Sequence, residues 1–388
     1  MNQTKKLYDL DAYAIEFDAT VLSCEEVQIE DQIMYHVILD KTLFFPEEGG
    51  QSPDKGTMNQ IAVMDVQIKD DVITHTLEAP LEVGIGVHGC IDWKHRFNNM
   101  QQHSGEHIFS GLVNKKFGYD NVGFHLSDQI VTMDFNGVLT AEDAADIEYA
   151  VNEVIINNLP VQVTFPSKEE LSDMNYRSKI EIDGQVRIVT IEGVDVCACC
   201  APHVRSTGEI GMLKILNMQN YKGGVRISIL CGFRALEEYR KKTEILSELT
   251  SSLSANQDSL IEAVDKLKNV NQSLKVEVSV AKRECMEAKL RGIPKDQVNV
   301  YLFENNLDAQ VMRNAVNQLV TEHAGICGIF SGDEEEGYRY IIGSSTEDAR
   351  TIASILREKL GAKGGGSAAM VQGSVVAKKE MILALINL

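Results

Sequence analysis

A long segment without proline or glycine divides this sequence of 388 residues. Positions 234–291 contain neither residue type, and leucine recurs there every seven residues, at positions 246, 253, 260, 267 and 274. Such a repeat predicts a long helix or a helical hairpin with an apolar seam. The other positions of the seam are mixed, so it could close against a second copy of the chain or against a helix of the same chain. We favour a homodimer.

The part before this segment alternates apolar and polar residues. The stretches "VILDKTLFF", "VMDVQIKDDVITHTLE" and "VGIGVHGCIDW" predict strands within 12–93, with a turn at Asp70 and Asp71. Residues 96–117 and 141–158 have apolar positions at helical spacing, and "VQVTFP" and "QVRIVTIEG" predict two further strands. We therefore expect a small N-terminal β-barrel or sheet, followed by a mixed region of helices and strands.

Strand patterns return after the long segment ends at Gly292. There "VNVYLFENN", "ICGIFSG" and "YRYIIGSS" alternate with helical patterns at 308–323 and 346–360. The chain exceeds one ordinary core, because domains usually have about 100–200 residues. We predict an α+β protein with four domains: a small β-barrel at 1–93, a mixed α and β domain at 94–233, a helical coiled-coil linker at 234–292 and an α/β domain at 293–388.

Composition limits where the protein works and what it binds. The chain has no apolar stretch of 18 residues and begins with MNQTKKLYDLD, which is unlike a signal peptide, so we expect a cytoplasmic protein without a membrane anchor. Eight cysteines, three of them in "CACC", suit a reducing compartment and metal binding better than a disulfide framework. A net charge of −20 argues against coating nucleic acid by bulk electrostatics. Local basic footprints remain at Lys94, His95 and Arg96, at Lys115 and Lys116, and at Lys222, Arg226 and Arg234.

Two short motifs indicate a metal site. In "HSGEHIFSG" His103 and His107 lie four residues apart on one face of a predicted helix, and "CCAPH" adds Cys199 and His203. Nitrogen and sulfur ligands favour zinc over magnesium or calcium. The cysteines at positions 197 and 200 remain rival ligands, because spacing alone does not choose among three cysteines in four positions.

The sequence indicates a zinc site more clearly than it indicates whether the zinc is structural or catalytic. Four protein ligands are typical of a structural site, whereas a catalytic zinc usually keeps one position for water. Glu106 lies inside the histidine pair, but the order HxxEH is the reverse of the metalloprotease motif HExxH. We therefore expect Glu106 to be solvated or to lie behind a ligand, and a metallopeptidase is a minor alternative.

A loop rich in proline and glycine interrupts the predicted barrel. The stretch "TLFFPEEGGQSPDKG" from Thr42 to Gly56 contains two prolines and three glycines, which let backbone approach a ligand closely. An ordinary surface turn is the alternative interpretation.

Together these motifs resemble a known family. In their order and separation, "TLFFPEEGGQSPDKG", "HSGEH", "CCAPHVRSTGEIG" and "GGVRI" resemble the editing domain of alanyl-tRNA synthetase and its freestanding relatives, the alanyl-tRNA editing proteins. The tail "GAKGGGSAAMVQGS" resembles the glycine-rich signature of the C-terminal DHHA1 domain of the same synthetase. The resemblance implies that 94–233 is a zinc-containing editing domain and 293–388 a DHHA1-like domain.

The resemblance also implies an activity and its residues. His103, His107, Cys199 and His203 fall on the zinc ligands of the family, which selects Cys199 among the cysteines. The family hydrolyses the ester that joins a wrong amino acid, mainly serine and also glycine, to the tRNA for alanine. The resemblance places Thr42, Gly49, Gly50 and Gln51 in the loop that lines the aminoacyl pocket, and we take Thr42 and Gln51 as catalytic.

Two departures from the family pattern bear on specificity. The commoner motifs HTATH and CGGTH are replaced here by Ser104, Gly105 and Glu106 between the histidines, and by Cys200, Ala201 and Pro202 before His203. We therefore expect the ligand spacing to persist while pocket shape and substrate preference change. Nothing before residue 90 resembles the aminoacylation core of a class II synthetase, and no DHH triplet occurs. The chain should edit without charging tRNA or binding ATP.

The expected partner is mischarged tRNA for alanine. We expect Arg226, Lys363 and the glycines of the tail to contact it, since amide-rich glycine turns bind anions. These glycines are Gly364, Gly365 and Gly366. A flexible loop is the alternative for the tail, and a non-catalytic tRNA-binding protein with a structural zinc is the alternative for the whole chain.

Overall fold

The computed structural model describes residues 3–178 and 185–387. They form two compact units, Met1–Ser247 and Glu248–Leu388. The mixed α and β composition expected from the sequence is confirmed in both units. The division into four domains remains a prediction. In the described part of the chain, no helix is both long enough and apolar enough to span a membrane.

The first unit begins with a closed barrel. The strands in this part of the unit are β1 (Lys5–Lys6), β2 (Glu16–Ile29), β3 (Gln32–Leu39), β4 (Lys41–Thr42), β5 (Gly56–Met58), β6 (Ile61–Lys69), β7 (Val72–Leu77) and β8 (Gly86–Ile91). Six of them close in the order β2-β3-β7-β6-β5-β8, and β1 pairs with β4. The predicted turn between β6 and β7 is confirmed, since Asp70 and Asp71 have φ of 51° and 60°.

The rest of this unit surrounds one long helix. The elements are α1 (Trp93–Phe117), β9 (Asn121–Leu126), β10 (Val131–Phe135), α2 (Ala141–Ile156), β11 (Val161–Thr164), α3 (Lys168–Ser172), β12 (Ile188–Ile191), β13 (Asp195–Ala198), β14 (Leu213–Tyr221) and β15 (Gly224–Cys231). The strands form two sheets, β14-β15-β10-β9 and β11-β12-β13. Helix α1 begins at an Asp92 cap, ends before Gly118 in the left-handed region, and packs Ile108 and Phe109 into the core shared with the larger sheet.

The segment without proline or glycine is helical, as predicted. It forms α4 (Gly232–Leu253), which runs from the first unit into the second, and α5 (Leu260–Arg291). On α5 the repeat leucines Leu267 and Leu274 are 58% and 52% exposed, so their side chains are open in the single chain. The coiled coil and the homodimer remain predictions.

The second unit continues with a five-stranded sheet. Its elements are β16 (Val300–Glu304), α6 (Ala309–Glu322), β17 (Cys327–Asp333), β18 (Gly337–Gly343), α7 (Arg350–Leu360), β19 (Lys363–Gly366), β20 (Met370–Val375) and α8 (Lys379–Ile386). The strand order is β16-β17-β18-β20-β19. The interpretation of the glycine tail as a flexible loop is wrong, because it forms the edge strand β19. A Cβ at Gly364 would lie 2.3 Å from the Gln372 carbonyl oxygen, so glycine permits this close pairing.

A buried ion pair joins the loop of the barrel to α1. Arg96 and Asp54 have fully buried side chains, and Arg96 Nε lies 2.9 Å from both Asp54 carboxylate oxygens. The guanidinium also donates to the carbonyls of Ala12 and Leu43, while Asp54 accepts from the Phe45 amide. The proposed basic footprint at Lys94, His95 and Arg96 therefore loses Arg96, whose charge is paired inside the protein.

A buried histidine lies in the barrel core beside the same loop. His75 Nδ1 is 3.1 Å from the Val37 carbonyl, which can only accept, and His75 Nε2 is 2.9 Å from Thr42 Oγ1. Burial lowers the pKa of His75 to about 4, so the ring is neutral at pH 7 and its Nε2 accepts the Thr42 hydroxyl proton. The Phe44 amide donates to the same hydroxyl at 3.1 Å.

Replacing Asp54 by asparagine should destabilise the first unit by about 3–5 kcal/mol, because the Arg96 charge stays buried without its counter-ion. Urea unfolding followed by the fluorescence of Trp93, the single tryptophan, reports on this unit. Asp128→Asn is the control, since the Lys55–Asp128 pair is half exposed and its loss should cost less than about 1 kcal/mol. Equal effects of the two variants would contradict a structural role for the buried pair.

Stability should also fall on acidification because of His75. In the unfolded chain His75 binds a proton below about pH 6.5, whereas in the folded chain it does so only below about pH 4. Between these values protonation favours the unfolded chain. The free energy of unfolding should therefore decrease by up to about 1.4 kcal/mol per pH unit in that interval. In His75→Gln this contribution disappears, so unfolding at pH 7.5 and pH 5.0 should differ less in the variant. An unchanged difference would mean that folded His75 is readily protonated.

Candidate metal centre

Three imidazoles and one thiol converge between α1 and the segment after β13. His103 and His107 lie one helical turn apart on α1, and the ring of His203 lies 5.0 Å and 4.6 Å from theirs. Cys199 Sγ is 3.5 Å from His103 Nε2 and 3.3 Å from His203 Nε2. One potential ligand atom from each of the four residues lies within 4.8 Å of the others.

This donor set fits a zinc ion. Zinc lies about 2.3 Å from a cysteine sulfur and about 2.0–2.1 Å from a histidine nitrogen. A tetrahedron with these bond lengths separates sulfur and nitrogen by about 3.5 Å, close to the distances from Cys199 to the two imidazoles. The residues therefore have both the chemistry and the spacing that tetrahedral zinc requires.

Each imidazole is oriented by a second hydrogen bond. The Nδ1 atom of His103 lies 2.8 Å from Gln51 Oε1, that of His107 lies 3.0 Å from Asp195 Oδ2, and that of His203 lies 3.0 Å from Ser104 Oγ. Occupying Nδ1 leaves Nε2 of each ring for the common centre. Such outer partners fix the tautomer and direction of metal-binding histidines.

Burial and charged partners act in opposite directions on the pKa values of the ionisable groups around the cluster. Burial would raise the pKa of the Cys199 thiol, but the three imidazoles lower it well below its usual value, which favours the thiolate. Burial likewise opposes ionisation of Asp195, yet hydrogen bonds from His107 and Arg177 keep its pKa below the usual range. Arg177 donates twice to this carboxylate, at 2.7 Å and 2.9 Å.

The rival cysteines lie in different surroundings. Cys197 belongs to a second group with His107 and Asp195, but the Asp195 carboxylate is already bound to His107 Nδ1 and to Arg177. The side chain of Cys200 lies against the barrel loop, where a Cβ on Gly49 would be 3.2 Å from its sulfur. Among the described cysteines, only Cys199 is grouped with all three imidazoles.

Residues between the two histidines shape the helix surface. A Cβ at Gly105 would lie 2.4 Å from the Cys231 sulfur, so glycine lets α1 approach β15. Glu106 is buried, which contradicts the solvated alternative for this residue. Its Oε1 accepts from Ser110 and Asn121, each at 2.6 Å, and its Oε2 lies 4.0 Å from His107 Nε2.

The barrel loop reaches the cluster through a tight turn. Glu48 and Gln51 exchange backbone hydrogen bonds of 3.1 Å and 3.3 Å across Gly49 and Gly50, which have φ of 61° and 81°. Two positive φ values in a two-residue turn favour glycine. A Cβ on Gly50 would lie 2.5 Å from the Phe124 carbonyl oxygen, so the glycine also permits close packing against β9.

The other sequence-predicted residues are held by contacts of their own or belong to the second unit. Thr42 is fully buried beside His75. Arg226 holds Asp134 with two hydrogen bonds of 2.6 Å and 2.7 Å and stacks on Tyr221, so its charge is largely compensated. Lys363 and the tail glycines lie in the second unit.

The residues behind the ligands have little signature in the sequence. Motif spacing does not identify Ser104, Asp195 or Arg177 as partners of the site. A signal exists only for Asp195, an acidic residue just before the cysteine cluster. The others are common polar residues whose position becomes informative only in the folded chain.

Two family descriptions match parts of the chain. The threonyl and alanyl tRNA synthetase second additional domain matches residues 186–228, which contain Cys199 and His203. The class II (A) tRNA synthetases match residues 4–95. The residues of this second match include the strands of the barrel, and the absence of an aminoacylation core stays a prediction.

Known relatives extend over nearly the whole chain. Alanyl-tRNA editing protein AlaX-L of Pyrococcus horikoshii is 29% identical over 97% of this chain and 96% of its own. Alanine–tRNA ligase of Ignicoccus hospitalis is 29% identical over 94% of this chain, which corresponds to 40% of that protein. A solved C-Ala domain of Aquifex aeolicus alanyl-tRNA synthetase is 21% identical and matches 23% of this chain and 86% of its own, with a TM-score of 0.20.

Alanyl-tRNA editing protein Aarsd1 of Mus musculus is 31% identical over 94% of this chain and 92% of its own, and the chain therefore belongs to the family of alanyl-tRNA editing proteins.

Proposed function

We propose that this protein is a zinc-dependent hydrolase that acts in trans on tRNA for alanine carrying serine or glycine. The observation that carries the proposal is the convergence of His103, His107, Cys199 and His203 beside a glycine turn whose Gln51 is hydrogen-bonded to a candidate ligand. The names of the relatives support the same reaction. Members of the family act on aminoacyl-tRNA, and this chain spans nearly their full length.

The need for such an enzyme follows from the size of the amino acids. Serine adds one hydroxyl to alanine and glycine lacks one methyl, and differences of this size are worth only about 1–3 kcal/mol in a binding pocket. A synthetase therefore charges some wrong amino acid. A second site that hydrolyses the wrong ester restores fidelity.

In the proposed reaction water attacks the carbonyl carbon of the aminoacyl ester. The bond between that carbon and the ribose oxygen breaks, and a proton passes to the ribose oxygen, so free amino acid and uncharged tRNA leave. A bound Zn²⁺ would supply positive charge and Lewis acidity at the four-residue cluster. Gln51 would donate its side-chain amide to the ester, while its carbonyl oxygen is held by His103.

Thr42 is proposed to select serine. After donating to His75 and accepting from the Phe44 amide, its hydroxyl keeps one lone pair. A serine hydroxyl can donate to this lone pair, whereas alanine has no donor. Because Thr42 is fully buried, the loop that follows it has to shift to admit the side chain.

The remaining parts are proposed to serve tRNA binding. Arg226 and the tail from Lys363 to Gly366 would contact the tRNA backbone, and α4 and α5 would act as a spacer or as a dimer seam. We propose the four-part division at residues 93, 233 and 292 on this basis, and a cytoplasmic location because charged tRNA is used there. A tRNA-binding protein with a purely structural zinc is the alternative, favoured by the closed set of four protein donors.

Cys199→Ala combined with His203→Ala should remove bound zinc and abolish hydrolysis of serine-charged tRNA for alanine, since two of the four donors are lost. Metal content by mass spectrometry and release of labelled serine check this. Cys200→Ala is the matched control and should keep both zinc and activity, because Cys200 lies outside the group of four. If the wild-type protein binds zinc but hydrolyses neither serine nor glycine esters, the structural alternative takes precedence.

Thr42→Val should reduce the preference for serine-charged over alanine-charged tRNA by about 10-fold or more, since one hydrogen bond is lost to serine alone. The ratio of kcat/KM for the two esters measures this. Thr42→Ser keeps the hydroxyl and should keep most of the preference. An unchanged ratio in Thr42→Val would place serine recognition elsewhere.

A further inference from the structure

The turn at Gly49 and Gly50 places two unlike side chains on one face. Glu48 and Gln51 form a cross-strand pair in which both backbone hydrogen bonds are present. Directly opposed residues of such a pair point their side chains to the same face, with Cβ atoms about 5 Å apart. The carboxylate of Glu48 and the amide of Gln51 therefore lie side by side.

Both side chains carry a buried atom without a partner. Glu48 Oε2 and Gln51 Nε2 are buried, and the described residues supply neither with a hydrogen-bond partner. Gln51 as a whole is only 1% exposed. Burying polar atoms in this way is unfavourable, and each such atom calls for an explanation. Here an unpaired acceptor and an unpaired donor occur together in one turn.

The face of the turn borders the metal centre. Gln51 Oε1 is 2.8 Å from His103 Nδ1, and the Gly49 position packs against Cys200, the neighbour of Cys199. Because Nδ1 of His103 donates to Oε1 when Nε2 faces the metal, the amide nitrogen of Gln51 must point away from the imidazole. The unpaired donor is thus available next to the cluster.

Within the described residues Glu48 has no ion pair, and the group that hydrogen-bonds to its carboxylate is the thiol of Cys200. The neighbouring guanidinium of Arg187 lies 3.3 Å from the Asp9 carboxylate and is already paired there. A carboxylate with a buried oxygen in such surroundings favours a cation as its ligand.

We propose that Glu48 binds the α-ammonium group of the aminoacyl ester while Gln51 Nε2 donates to the ester carbonyl oxygen. This inference rests on the proposed function and specifies how the same site recognises its substrate. Every aminoacyl ester carries one ammonium and one carbonyl oxygen on adjacent carbons, which matches the paired acceptor and donor of the turn. Glu48 then distinguishes free aminoacyl esters from esters whose α-nitrogen is acylated and uncharged.

Glu48→Gln tests the charge of this side chain at nearly constant shape. At pH 6.5, below the usual α-amino pKa of about 7.7–8.0, the variant should hydrolyse seryl-tRNA for alanine with a kcat/KM lowered by about 10- to 100-fold. Hydrolysis of N-acetyl-seryl-tRNA should remain at the low level of the wild type. The preference for the free ester should therefore collapse, and Glu48→Asp, which keeps the charge, should retain part of it.

Glu47→Gln is the matched control. Glu47 is the preceding residue and is exposed, and its carboxylate accepts from Gln67 at 2.9 Å. It should keep both the rate and the preference. Zinc content and urea unfolding of each variant show whether the fold and the metal centre persist.

A binding measurement separates this inference from the proposed activity. The probes are 3′-deoxy-3′-(L-seryl)aminoadenosine, which cannot be hydrolysed as an ester, and its analogue without the α-amino group. Calorimetry should show weaker binding of the seryl probe to Glu48→Gln and unchanged binding of the analogue. Absence of ester hydrolysis by the wild-type protein would overturn the proposed function. The role of Glu48 would be overturned if Glu48→Gln lowered kcat/KM equally for the free and the acetylated ester. It would also be overturned if the seryl probe bound to the variant as tightly as to the wild type.

Discussion

The fully buried pair of Arg96 and Asp54 fixes the geometry on which the candidate site depends. Arg96 belongs to α1 and Asp54 to the barrel loop, so their contact ties two parts of the first unit together. Two turns further along α1, His103 contacts Gln51 of the same loop. The loop is thus attached to one face of the helix at two points, and the turn that ends at Gln51 borders the metal centre.

Helix α1 is unusual because its buried face is polar. Asn99, Gln102, His103, Glu106 and His107 are all buried, and burial of such groups is tolerated only with hydrogen-bond partners. Some of those partners lie one turn away on α1 itself, such as Ser110 for Glu106, and others are distant in sequence, such as Gln51 for His103 and Asp195 for His107. The helix is therefore held by specific polar contacts as much as by apolar packing, which gives the imidazoles fixed directions.

In this strongly acidic chain, arginines that could meet the proposed RNA partner already hold carboxylates of the protein. Several arginines of the first unit are committed to carboxylates, among them Arg177 to Asp195 and Arg226 to Asp134. Recognition of the aminoacyl end would then rely on hydrogen bonds and one carboxylate rather than on phosphate attraction. This arrangement fits the proposed discrimination between small amino acids.

Residue patterns alone were enough to predict the local elements and the spacing of the donors. Helical periodicity predicted α1 and α2, and the i, i+4 rule placed His103 and His107 on one helical face from their spacing alone. Spacing left three cysteines open, the family resemblance selected Cys199, and the folded chain groups Cys199 with the three imidazoles. The residues behind the ligands become apparent only in the folded chain. Gln51 reaches His103 across 52 positions of the chain and Asp195 reaches His107 across 88, and contacts at such separations leave no local pattern in a single sequence. For the same reason the basic run that contains Arg96 suggests a surface patch, although Arg96 lies in the core.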